Sequence, residues 1–214
     1  MTAPISESWA RVENWLAEHA PVTRAALAPP ADPADIAATE RVIGGPLPKP
    51  LVMSLLRHDG LLDGWSALLP GFYSLLSARR TAAEWKIVSG FYDRITADEE
   101  GDEVDDDFVK TGFSSILYGH PRLIPIAREV GGGYLVLDDR PEADRGRVHE
   151  AEATDGVTRG GHGMWASLPV LMESVATSLE TGRPVNGYRP EVNEEQRLRW
   201  DLPPLRGEGT VRRP

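Results

Sequence analysis

Residues 36–60, IAATERVIGGPLPKPLVMSLLRHDG, place the tightest local constraint on what this chain can fold into. Gly44-Gly45 and the Pro46-Leu47-Pro48 that follows cannot continue a helix, because glycine frees the backbone while proline fixes φ and removes a donor. Two short helices must therefore meet at a corner. Asp32 can cap the first, Pro33 suits its first turn, and Asp35 lies near the positive end of its dipole. Ile36, Glu40 and Ile43 fall at helical spacing, and Gly44-Gly45 ends the run. The second helix starts at Pro48 or Pro50 and puts Leu51, Leu55 and Leu56 on one face, with Asp59-Gly60 expected as its stop. Nothing here is a catalytic motif.

Upstream, Ile5, Trp9, Val12, Trp15 and Leu16 follow the spacing of an amphipathic helix that runs to about His19, where Ala20-Pro21 stops it. The two tryptophans read as core anchors. An Ala/Pro-rich connector at 25–34 leads into the corner. Downstream of Gly60, Pro70-Gly71 signals a turn and residues 72–76 read as a first strand. Thr81-Ala82-Ala83-Glu84 has the spacing of a capping box, opening a helix to about Arg94 with Trp85, Val88 and Tyr92 or Ile95 facing inward.

Residues 123–127 and 134–138 are strand-like runs joined by Gly131-Gly132-Gly133, which predicts a hairpin, and residues 146–150 read as a third antiparallel strand. A glycine-rich loop at 154–163 follows. The last clear helix spans 166–181, with Leu168, Leu171, Val175 and Leu179 on one face and Gly182 as its stop. Beyond it, Pro and Arg predominate, and Tyr188, Trp200 and Leu205 are expected to anchor a tail that drapes over the domain. The order predicts one α+β domain at 1–190, with N-terminal helices and a C-terminal helix packed on a mainly antiparallel sheet, and a partly ordered tail at 191–214.

The 214 residues include 18 prolines and 21 glycines, which favours short elements and many loops. Cysteine is absent, which removes disulfides and thiolate chemistry and fits a reducing cytoplasm. The first residues lack the basic start and apolar core of a signal peptide, and no apolar run reaches the length of a membrane span. A soluble, cytoplasmic protein is the expectation. The net charge of −10 comes mostly from one stretch: residues 98–107, DEEGDEVDDD, hold eight acids and no base, against 25 acids and 23 bases elsewhere. Scattered arginines offer no basic face, so direct nucleic-acid binding is disfavoured.

Three ordered blocks carry a resemblance. The first is Glu40-x-x-Ile43-Gly44-x-x-Leu47-Pro48, then Leu55-Leu56 and His58-Asp59-Gly60. The second is Ile124-Pro125-Ile126-Ala127, the glycine turn, and Leu135-x-Leu137-Asp138. The third is Gly146-x-Val148 and the Ser167-Leu168 that opens the final helix. In this order they resemble the SUKH superfamily, which includes the fungal cell-wall assembly regulators of Smi/Knr type and many bacterial homologues. Leu123 stands where that family often has Trp, and Gly133 stands where it often has Asp or Asn. The resemblance implies an α+β scaffold without known catalytic residues. It also implies a role in binding other proteins: many bacterial members as immunity proteins against toxins, fungal members as regulators. Glu40, Gly44, Pro48, Asp59, Gly60, Pro125 and Asp138 are then structural signature positions.

Candidate chemistry is sparse. His58-Asp59 could serve acid–base work, but adjacent side chains at a helix end rarely converge on one substrate. His162, in GGHGMW, would suit a ligand contact in a glycine loop. The five histidines lack metal-ligand spacing, and no cofactor or metal is expected. The glycine triplet precedes a strand, whereas a phosphate loop follows one and opens a helix, and no G-x-S-x-G elbow is present. The acidic run is the least ordinary feature. Asp98, Glu99, Glu100, Asp102, Glu103, Asp105, Asp106 and Asp107 could form a solvated loop, or an anionic surface that steers a basic partner such as a toxin. The leading reading is a non-enzymatic protein-binding domain that uses the concave side of the sheet and its loops. An enzyme built on His58 or His162 with nearby carboxylates, and a cell-envelope regulatory scaffold, remain as alternatives.

Overall fold

The computed structural model describes residues 2–63, 66–98, 120–141, 145–152, 156–158 and 165–202. Four helices come first: α1 (Ile5–His19), α2 (Pro21–Ala26), α3 (Pro33–Ile43) and α4 (Lys49–Leu55). A two-residue strand β1 (Ser74–Leu75) precedes the long helix α5 (Ala78–Asp98). Strands β2 (Leu123–Arg128), β3 (Tyr134–Asp138), β4 (Val148–Glu152) and β5 (Gly156–Thr158) follow, then α6 (Leu168–Thr181) and a hairpin of β6 (Arg189–Val192) and β7 (Leu198–Asp201). The first five strands form one antiparallel sheet in chain order. The fold is the mixed α+β arrangement that the order of sequence signals implies.

The corner forms as its residues dictate. Asp32 Oδ1 accepts the Ala34 N–H at 2.8 Å at the start of α3, and Gly44, at φ 80°, ends that helix in the left-handed region. Glu40 then reaches across the turn, its carboxylate accepting the Leu47 N–H at 3.0 Å, and Pro48 caps α4. The same logic bounds α6, where Ser167 Oγ accepts the Val170 N–H and Gly182 takes φ 68°.

One apolar core joins these parts. Trp9, Val12 and Leu16 of α1 meet Leu171, Met172 and Val175 of α6, and Ile124, Ile126, Leu135 and Leu137 of the sheet lie beneath. Trp9 is fully buried, and its indole N–H donates to Ser54 Oγ at 3.0 Å, tying α1 to α4. A smaller cluster of Val88, Leu123, Tyr134, Val136 and Ala151 lies where α5 covers the opposite face. All of β3 is buried, as is β2 except for Arg128. Both faces of β2 and β3 are therefore covered by other parts of the chain.

Several local expectations are revised. The helix α4 ends at Leu55, ahead of Asp59-Gly60, so that pair does not stop it. The helix α5 begins at Ala78, where Ser77 Oγ accepts the Arg80 N–H at 3.2 Å. Thr81-x-x-Glu84 is thus inside the helix and is no capping box. The strand expected over 72–76 shrinks to Ser74–Leu75, because Gly71 (φ 82°) and Phe72 (φ 67°) both turn into the left-handed region. Part of the glycine-rich loop at 154–163 pairs as β5. The tail forms a hairpin, with Trp200 fully buried and its indole N–H on the Leu68 carbonyl at 3.2 Å. The acidic run beyond Asp98, His162 and Leu205 lie outside the described residues.

Candidate functional site

The signature carboxylates are engaged within the scaffold. Asp59 Oδ1 accepts the Ala78 N–H at 2.7 Å, holding the start of α5 against the end of the α4 segment. Asp138, fully buried, accepts from the Arg140 guanidinium at 2.7 Å and from the Arg140 N–H at 2.9 Å. Pro125 sits opposite Val136 beside the irregularity that shifts the β2–β3 register. Each of these positions has an architectural use.

His58 does meet a carboxylate, though not the adjacent one. Its Nε2 lies 2.8 Å from Glu13 Oε1 on α1, and its Nδ1 lies 2.7 Å from the Ala28 carbonyl. Both ring nitrogens are thus held by groups of the protein itself. Arg57 completes the cluster with two bonds to Glu13, at 2.6 and 2.7 Å. Burial pushes the Glu13 carboxyl up, but hydrogen bonds from Arg57 and His58 outweigh it and hold the group below the ordinary carboxylate range. With both ring nitrogens engaged, His58 has none left to face a substrate. Asp59 points the other way, to α5. Glu13 was not foreseen from sequence, and no local signal marks a partner 45 residues away.

One open feature of the described surface is a cleft of about 410 Å³ at the β1 edge of the sheet. Its floor is β1 with Leu76 and Ser77, and its walls are residues 61–63 on one side and residues 128–130 with Arg80 on the other. Two rim side chains, Leu62 and Val130, are 68% and 75% exposed. Below the cleft, Glu84 is 4% exposed and accepts from Tyr134 Oη at 2.7 Å, Arg128 Nη1 at 3.1 Å and Arg80 Nη2 at 3.4 Å. Arg128 also lies 5.7 Å above the Tyr134 ring. Sequence reading assigned Glu84 to a cap and passed over the arginines, because only the register of β2 against α5 assembles them. At the far wall Asp63 accepts from Arg197 at 3.0 Å and from Ser66. Among the described residues, no group of three or more His, Asp and Glu side chains could hold a metal ion. No helix among them is long and apolar enough to cross a membrane.

Ties of this kind within one packed α+β unit define an interdependent scaffold, in which the polar signature serves architecture. The chain belongs to the SMI1 / KNR4 family (SUKH-1), whose model matches residues 30–178, the span from the connector before α3 to the last turns of α6. No curated protein matches the chain.

Proposed function

We propose that this chain is a cytoplasmic protein-binding domain that captures another protein without chemistry of its own, in the immunity or regulatory manner that family membership suggests. The observation that carries this reading is the division of labour among polar residues. Glu40, Asp59 and Asp138 are engaged inside the scaffold, while an open cleft with two exposed apolar rim residues lies at the sheet edge. Exposed apolar side chains beside oriented charges are the ordinary makings of a protein contact.

The acidic side chains of residues 98–107 would add long-range attraction for a basic partner, raising its association rate more than its final affinity. Immunity genes adjoin toxin genes, so the product of the adjacent gene is the partner to test. It should bind the purified chain by calorimetry, and expression of the chain should protect cells from it. Changing the acids of 98–107 to Ser or Asn should slow association and flatten its salt dependence. Unchanged kinetics would remove the steering role, and failure of any adjacent product to bind would remove the immunity reading.

A further inference from the structure

We draw no further inference here: the strongest candidate, the open cleft at the β1 edge of the sheet, carries charged groups of both signs in balance, and nothing in the structure shows what covers it.

Discussion

Asp59 and Ala78, nineteen residues apart, are joined by a 2.7 Å hydrogen bond from the Ala78 N–H to Asp59 Oδ1. The bond satisfies a donor that the first turn of α5 leaves open, and it places a negative charge at the positive end of that helix. Gly60 makes the approach possible. At φ 75°, an added Cβ would lie 2.6 Å from the Ser77 nitrogen and 2.7 Å from the Leu76 carbonyl carbon. Asp59→Ala should cost about 1 kcal/mol in urea unfolding, with Asp59→Asn losing less because it keeps the acceptor. Gly60→Ala should cost more than about 2 kcal/mol, since the left-handed backbone and the clash add. A Gly60→Ala variant as stable as wild type would refute the close approach.

Glu13 carries a pH dependence with a definite sign. Its folded-state pKa is lowered, so on acidification the unfolded chain takes up the proton first. The stabilisation is complete above the unfolded value and is lost as pH falls through the folded one. Urea unfolding between about pH 6 and pH 3 should show wild type losing stability faster than Glu13→Gln, whose curve starts lower and runs flatter. Parallel curves would contradict this.

Tyr134→Phe removes the 2.7 Å bond to Glu84 Oε2 and leaves a buried carboxylate short of one donor. The expected loss is about 1–3 kcal/mol, the ordinary range for an orphaned buried acceptor. The mutation should also loosen Arg128, which shares Glu84 and lies over the ring. Thermal melting gives the first effect, and the line widths of the Arg128 Nε–H signal give the second.

Trp200→Ala tests whether the C-terminal hairpin belongs to the core. The indole is fully buried in the main apolar cluster and holds the Leu68 carbonyl. Truncation should cost about 3–5 kcal/mol, as for other large buried aromatics. A loss below about 1 kcal/mol in urea unfolding, the level of an ordinary surface change, would mean that the hairpin is only loosely attached.

The helices α1, α3 and α6 and the β2–β3 hairpin were legible because their signals lie within a few residues: apolar spacing, the Asp32 cap, and glycine stops at Gly44 and Gly182. The same ordered signals identify the family. What was not legible lies where a local rule had a distant competitor. Thr81-x-x-Glu84 has the letters of a capping box, yet Ser77 caps the helix and Glu84 turns to Tyr134, fifty residues away. Asp59-Gly60 has the letters of a helix stop, yet its carboxylate serves the next helix.

The sequence by itself determined where the chain can be helical, where it must turn and which faces must be buried, because backbone sterics and side-chain periodicity act over one or two turns. Tertiary structure alone decided which polar groups meet. A carboxylate takes whichever donors the packing of distant elements brings within about 3 Å, and no local spacing encodes that distance. The cleft at the β1 edge is a product of that second step, made when α5 laid Arg80 and Glu84 beside Arg128 of β2.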